Sequence, residues 1–217
     1  MAVAAGDNLL RVERRTMPHG QAEALLPMVD RAMDAARLAA SALDLITVTI
    51  GPGSFTGIRV GLSAARGIAL GLGVPLFGVT SFEAGAVACE ADPVERFLLV
   101  ALDSRRADFY IQLFDPARHA LGSPAAVLPE ELAEIVTAAA GSSPLAVTGD
   151  AAARAAAALD GRGCANVVTD GEPPAVGALR AALRLWRHGG RGGPARPLYL
   201  RPPDVTLAAG QVPPRGL

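Results

Sequence analysis

The chain of 217 residues contains no lysine, and its formal net charge is −1 because 20 arginines nearly balance 21 acidic residues. A protein that binds nucleic acid on its own usually carries a clear basic excess, which this chain lacks. Aromatic residues are also scarce, at 4% of the sequence, although hydrophobic residues together make up 51%. We therefore expect a core built mainly from alanine, leucine and valine, in one large or two small domains.

Cysteine and histidine are also sparse, with two and three residues, which limits the metal and redox chemistry available. Cys89 and Cys164 lie far apart and outside any C-x-x-C pattern, so we expect two buried, reduced thiols rather than a disulfide. His19, His119 and His188 have no histidine or cysteine at the spacing of a metal-ligand pair. The sequence therefore predicts no metal site.

Long hydrophobic runs are missing as well. No apolar stretch reaches about 18 residues without a charge or a glycine, so no membrane span is predicted. The first residues also lack the charged start and the apolar run of a secretory signal peptide. We expect a cytoplasmic protein.

The stretch over residues 46–72 has the pattern strand, glycine-rich turn, helix. We call its central part the glycine turn; it consists of Gly51, Pro52, Gly53, Ser54, Phe55, Thr56 and Gly57. A glycine-rich turn before a helix can bind phosphate. However, the Walker pattern needs a lysine, and G-x-G-x-x-G needs a third glycine one residue earlier than Gly57. We favour a plain strand-to-helix turn, with Ser54 or Thr56 capping the helix.

The helix that follows carries two stripes. The first is apolar, is suited to pack on a sheet, and consists of Ile58, Leu62, Ala65, Ala69 and Leu72. The second has smaller side chains and consists of Val60, Ala64, Gly67 and Gly71. Interior helix glycines cost about 1 kcal/mol each relative to alanine, so a packing gain must offset them. In the earlier helix Gln21–Ala36, Leu26 and Met33 widen the apolar face beyond one sheet contact.

These features predict a partner surface on the two helices. Its residues are Leu26, Met33, Val60, Ala64, Gly67 and Gly71. The alternative is that the glycines allow close packing inside the domain.

The order of predicted elements divides the chain into two similar α/β subdomains. We expect an N-terminal subdomain over residues 1–95 that includes the partner helices, and a C-terminal subdomain over residues 96–188. In the second half, a strand over residues 97–103 comes first and is followed by its hairpin partner strand. The first half begins directly with the equivalent of that partner strand, so it lacks one strand. Residues 189–217 are rich in glycine and proline and are expected to be a largely flexible tail, interrupted by an apolar segment at 197–203.

Few side chains suggest catalysis. Asp103 at the end of a strand could hold magnesium in a sugar-kinase-like fold, but a hairpin Asx-turn is the simpler interpretation. Asp150 is expected to cap the helix after it. Ser54 does not lie in a G-x-S-x-G elbow, so a serine nucleophile is not supported. We predict no catalytic and no cofactor-binding residue.

Residues 51–61, with the sequence GPGSFTGIRVG, closely resemble the signature of the TsaB (YeaZ) family. Further segments resemble this family in the same order along nearly the whole chain: HGQAE at 19–23, GVTSFEA at 78–84, LDSRR at 102–106 and PLYLRPP at 197–203. The resemblance implies a duplicated actin/Hsp70-like (ASKHA) α/β fold.

The resemblance also implies a function. TsaB is the non-catalytic partner of the tRNA threonylcarbamoyltransferase TsaD, with which it pairs through its two N-terminal helices, and a TsaE ATPase completes the complex. That complex attaches a threonylcarbamoyl group to the adenosine next to the anticodon. ATP and metal then belong to the partner subunits, tRNA is reached only through the complex, and a homodimer is possible for the chain alone.

Two departures from the related proteins matter. TsaD carries a metal-binding His-x-x-x-His, and the corresponding positions here are Ser81 and Gly85, which cannot replace imidazole ligands. TsaB-like chains begin with a strand ending in Asp-Thr-Ser, so we expect the first subdomain to lack its N-terminal strand, through either a start placed downstream or a lost strand.

The alternative functions are a glycopeptidase-like hydrolase or an ATP-dependent phosphotransferase of the same fold, and a homodimeric binding protein.

Overall fold

The computed structural model describes residues 1–17, 19–89, 96–160, 166–168, 174–190 and 195–201. The strands are β1 (Ala2–Ala5), β2 (Asn8–Val12), β3 (Ile46–Thr49), β4 (Leu76–Val79), β5 (Phe97–Asp103), β6 (Phe109–Phe114), β7 (Ala120–Val127), β8 (Leu145–Thr148) and β9 (Asn166–Val168). The helices are α1 (Gln21–Ala36), α2 (Phe55–Leu72), α3 (Ser81–Ala88), α4 (Pro129–Ala140), α5 (Ala152–Ala158) and α6 (Pro174–Arg187). The predicted α/β class is confirmed.

The second half is built on a five-stranded sheet with the order β7-β6-β5-β8-β9. Strand β5 is central; it pairs antiparallel with β6 and parallel with β8. Residues 98–101 on β5 are completely buried, which explains why this strand is continuously apolar. Leu132 and Val136 of α4 cover one face of the sheet, and Phe82 and Ala86 of α3 cover the other.

The first half contains two separate sheets. β1 pairs antiparallel with β2, and β3 pairs parallel with β4. Helix α1 packs on the first sheet, α2 packs on the second, and the two helices contact each other. Helix α6 contacts β1, β3 and β4, so both sheets share the same covering helix. Within the described ranges, no strand pairs with the remaining edges of β1 and β3.

The element order is the same in both halves, except for one strand. Two strands are followed by helix, strand, helix, strand and helix in each half, and the second half adds β5 in front. β5 lies between β6 and β8, whose counterparts in the first half are β1 and β3. The first half, as far as it is described, has no strand in the place that β5 holds, and we call this place the open position.

Filling that open position should stabilise the protein. A variant that carries a copy of residues 97–108 before Met1 offers a strand and its hairpin turn to the free edges of β1 and β3. Pairing their backbone N–H and C=O groups should raise the melting temperature, by roughly 2–4 °C for each kcal/mol gained in a protein of this size. The control places prolines at alternate strand positions, which prevents ladder formation. Equal melting temperatures for both variants would contradict the open position.

Helices α3 and α6 each pack on the other half of the molecule. Ala178, Ala181 and Ala182 of α6 form a cluster with Phe77 and Val79 of β4. The predicted C-terminal subdomain, residues 96–188, therefore includes a helix whose buried face belongs to the first half.

Helices α3 and α6 approach each other very closely. A Cβ at Gly177 would lie 2.1 Å from the carbonyl oxygen of Ala84, so no side chain fits at this position of α6. Cys89, at the end of α3, is buried and forms no disulfide among the described residues, whereas Cys164 lies outside them. In the part of the chain that is described, no helix is long and apolar enough to cross a membrane.

Candidate partner-binding surface

The glycine turn joins the carboxyl end of β3 to α2. Gly51 is buried and has φ +105°, a conformation that side chains rarely adopt. A Cβ there would lie 2.8 Å from Ile58 Cδ1 and 3.2 Å from the Leu198 carbonyl oxygen. Ser54 Oγ accepts a hydrogen bond from the N–H of Gly57 at 3.3 Å, so the predicted cap is confirmed and is Ser54. The turn is therefore fixed both by its own residues and by a distant segment.

That distant segment is residues 195–201, which lie across the glycine turn and the start of α2. The N–H of Leu198 donates to the carbonyl of Ile50 at 2.8 Å. The Arg66 guanidinium donates to the carbonyl of Ala195. These residues lie within the predicted Gly/Pro-rich tail, and they include most of the apolar segment at 197–203 that interrupts it. Residues 191–194 and 202–217 of the predicted tail lie outside the described residues.

The end of this segment is anchored in the second half. Leu200 packs against the cluster that contains Phe82 and Val100. Arg201 forms an ion pair with Asp108, whose side chain is only 3% exposed. Residues 195–201 thus connect the glycine turn in the first half to the β5–β6 hairpin in the second.

Three side chains form what we call the aromatic–arginine cluster: Phe55, Arg59 and Tyr199. The Phe55 and Tyr199 rings are tilted, with centroids 5.8 Å apart. The Arg59 guanidinium lies 3.7 Å from the centre of the Phe55 ring, and its Nε donates to Tyr199 Oη at 3.3 Å. Phe55 remains 48% exposed and Tyr199 47% exposed. The cluster is ordered by mutual contacts but lies on the surface.

The sequence did not reveal this cluster. Phe55 was assigned only to the glycine turn, and Tyr199 to the tail, because 140 positions separate Arg59 from Tyr199. The available signal was the short apolar segment within a Gly/Pro-rich stretch, at 197–203.

The two predicted stripes of helix α2 differ in burial. Leu62, Ala65 and Ala69 of the apolar stripe are buried. In the small stripe, Val60 and Ala64 are half-buried, whereas Gly67 and Gly71 are exposed.

The two exposed glycines have no packing role inside the described chain. A Cβ added at Gly67 or Gly71 would meet no described heavy atom within 4 Å. Close internal packing therefore does not explain these two glycines.

The remaining predicted surface residues differ in exposure. Leu26 of α1 is 52% exposed, as a partner contact requires. Met33 is 8% exposed and lies in a cluster with Val3 and Ala32, so its prediction as a surface residue is wrong. Its side chain is covered because the β1–β2 sheet packs on that face of α1.

The most exposed large apolar side chain on α2 was missed by the sequence analysis. Leu70 is 86% exposed, although the same helix buries Leu62, Ala65 and Ala69. It follows Gly67 by three residues and precedes Gly71, which places it beside the small stripe. An apolar residue that belongs to neither predicted stripe was the signal that could have identified it.

The residues at the positions of the TsaD metal ligands, Ser81 and Gly85, lie against other parts of the chain. A Cβ at Gly85 would lie 3.0 Å from Val100 Cγ1 on the central strand, so a larger residue there would require the Val100 side chain to shift. The backbone N–H of Ser81 donates to the carbonyl of Gly51 at 2.8 Å. Among the described residues, no three histidine, cysteine or acidic side chains are grouped so that they could hold a metal ion.

The two aspartates considered for chemistry have structural contacts. Asp103 Oδ1 accepts a hydrogen bond from the N–H of Arg105 at 3.0 Å, which is the favoured Asx-turn. Arg154 also pairs with this carboxylate at 3.3 Å. The prediction that Asp150 caps α5 is wrong; its Oδ1 accepts from the N–H of Asp103 at 2.7 Å and so joins the ends of two strands.

Comparisons with known proteins agree with this architecture. Residues 18–133 match the family model described as TsaD, tRNA N6-adenosine threonylcarbamoyltransferase. An uncharacterized protein of Mycobacterium tuberculosis (strain ATCC 25618 / H37Rv) is 33% identical over 214 residues, which cover 96% of this chain and 90% of that protein. The tRNA threonylcarbamoyladenosine biosynthesis protein TsaB of Escherichia coli K12 is 28% identical over 104 residues, 48% of this chain and 45% of that protein.

The fold is also similar to a solved structure, that of YeaZ from Pseudomonas aeruginosa. The TM-score is 0.69 at 26% sequence identity, and the superposition covers 88% of this chain and 92% of YeaZ. With matches to the family model, to proteins named TsaB and to the YeaZ fold, this chain belongs to the TsaB (YeaZ) family.

Proposed function

We propose that this chain is the scaffold and dimerisation subunit of a complex that makes threonylcarbamoyladenosine in tRNA, and that it supports a TsaD-like catalytic subunit. The name of the E. coli relative supports the pathway. The observation that carries the proposed role is the outer face of α2, where Gly67 and Gly71 are exposed with no described atom near an added Cβ.

The energetics of this face favour a protein partner. Each glycine inside a helix costs about 1 kcal/mol relative to alanine, and neither Gly67 nor Gly71 has an internal contact that offsets this cost. Helices that pack in proteins lie about 8–10 Å apart, and small side chains allow the shorter distance. Exposed Leu26 and Leu70 add apolar area beside the stripe. A partner helix packed on α2 would offset the cost of the glycines.

In this proposal, the catalytic reaction takes place on the TsaD-like subunit. Ser81 and Gly85 occupy the ligand positions, and neither side chain can supply an imidazole ligand. ATP and metal would therefore bind to the TsaD-like subunit and to a TsaE-like ATPase. Contact with tRNA would occur through the complex, and the exposed face of α2 would also allow self-pairing when the partner is absent.

Reconstitution tests this function. The reaction mixture contains this chain, the TsaD-like and TsaE-like subunits, ATP, the threonine-derived donor and tRNA. We expect it to yield threonylcarbamoyladenosine, which is measured by nucleoside mass spectrometry. Omission of this chain should reduce the product strongly, and this chain alone should yield none. Product formation that is independent of this chain would contradict the proposal. Glycopeptide hydrolysis or ATP-dependent phosphoryl transfer by the chain alone would favour the alternative functions.

A further inference from the structure

The proposed α2 surface is too small to hold a partner by itself. The small stripe extends from Val60 to Gly71, which are 11 residues apart, so it is about 17 Å long at roughly 1.5 Å per residue. With a helix width of about 10 Å, the stripe offers roughly 170 Å². A stable heterodimer buries about 800 Å² on each partner. The interface must therefore extend beyond the stripe.

The aromatic–arginine cluster adjoins the stripe at the start of α2. Arg59 directly precedes Val60 in the chain, and Phe55 lies one turn before Arg59. Tyr199 extends the same surface beyond the helix, onto residues 195–201. At 3.6 residues per turn, Arg59 and Phe55 lie roughly 100–140° around the helix axis from the small stripe. The exposed rings therefore lie on the flank of α2, beside the stripe and not on it.

The cluster is also arranged before any partner arrives. Each of its side chains contacts the other two, through the ring pair, the guanidinium–ring contact and the Arg59–Tyr199 hydrogen bond. The backbone on both sides of Tyr199 is held, by the Leu198–Ile50 hydrogen bond and the Arg201–Asp108 ion pair. Side chains that are ordered in advance lose less conformational entropy on binding. Tyrosine and arginine are also enriched among the residues that dominate binding energy.

We propose that the aromatic–arginine cluster is a second contact region for the TsaD-like partner, on the flank of α2 beside the stripe; this inference rests on the proposed function. The Nε–H of Arg59 donates to Tyr199, and one face of the guanidinium lies over the Phe55 ring. The terminal N–H groups of Arg59 can therefore donate to a carboxylate of the partner. The complementary partner surface presents an acidic side chain flanked by apolar groups.

Nucleic acid is the other macromolecule that exposed rings and an arginine could bind, because bases stack on aromatic side chains. The formal net charge of −1 and the position beside the helix stripe favour a protein. Binding of tRNA to the isolated chain that is lost in Phe55→Ala would overturn the assignment to a protein partner.

The test uses three single variants and one control, with the dissociation constant for the TsaD-like subunit and the melting temperature measured on each. We expect Phe55→Ala and Arg59→Glu to weaken binding at least tenfold at an unchanged melting temperature. Tyr199→Phe keeps the ring and should weaken binding less. The control is Ile135→Ala on α4, which removes an apolar side chain that is 40% exposed, against 48% for Phe55, and should leave binding unchanged.

The outcomes separate this inference from the proposed function. If the unmodified chain does not bind the TsaD-like subunit, the proposed function fails. If it binds, and a bulky residue at Gly67 prevents binding while Arg59→Glu binds normally, only the second contact region is overturned. Should Phe55→Ala unfold the protein, the exposed Arg59→Glu variant still decides the question, because normal binding by that variant contradicts the inference.

Discussion

Replacing Gly67 by tryptophan should weaken binding of the TsaD-like partner by about ten- to a hundred-fold without unfolding the chain. Overpacking a contact costs about 1–3 kcal/mol, and each 1.4 kcal/mol corresponds to a tenfold change in affinity. Folding should be retained because an added Cβ at Gly67 meets no described atom within 4 Å. The stability should even rise slightly, since tryptophan has a higher helix propensity than glycine.

Two controls make this result specific. Gly67→Ala should stabilise the helix by up to about 1 kcal/mol and change binding much less than the tryptophan does. Ala139→Trp places the same bulk on an exposed position of α4 and should leave binding unchanged. Ala64 is a less informative position, because it is half-buried and its tryptophan variant would combine folding with binding effects. Unchanged binding of Gly67→Trp would remove α2 from the interface.

Replacing Arg201 by alanine should destabilise the chain by about 3 kcal/mol, the lower end of the range for breaking a buried ion pair, because Arg201 is 32% exposed. The carboxylate of Asp108 would then be buried with Ser104 Oγ as a donor at 2.8 Å but without its cation. The melting temperature should fall by roughly 6–12 °C, given about 2–4 °C per kcal/mol for 150–250 residues. Urea unfolding measures the loss directly.

A double-mutant cycle tests the cause of this loss. If the unpaired carboxylate is responsible, adding Asp108→Asn to Arg201→Ala should recover part of the stability. Arg105→Ala is the control, because Arg105 pairs with Asp103 while its side chain is 86% exposed, and surface pairs contribute about 0–1 kcal/mol. Equal, small losses in Arg201→Ala and Arg105→Ala would show that residues 195–201 do not hold the fold together.

Features set by neighbouring residues were predictable from the sequence. The glycine turn, its Ser54 cap and the buried stripe of α2 follow from local backbone requirements and helical spacing. The element order of both halves followed in the same way, from apolar periodicity and turn residues.

Features set by distant contacts were not predictable. The periodicity of α1 placed Met33 on an apolar face, but whether that face is open or covered depends on where Val3 lies. The role of Tyr199 depends on contacts with Phe55 and Arg59, which no local pattern encodes. The exchange of α3 and α6 between the halves likewise depends on packing across the whole chain.

The most direct test of the central claim is amide hydrogen exchange of this chain with and without the TsaD-like subunit. If α2 and the aromatic–arginine cluster form the partner surface, exchange should slow in residues 55–72 and 195–201 when the partner is added, and should stay unchanged in α4. Protection confined to α4, α5 or the β7 edge while a complex forms would contradict this account, as would the absence of any complex.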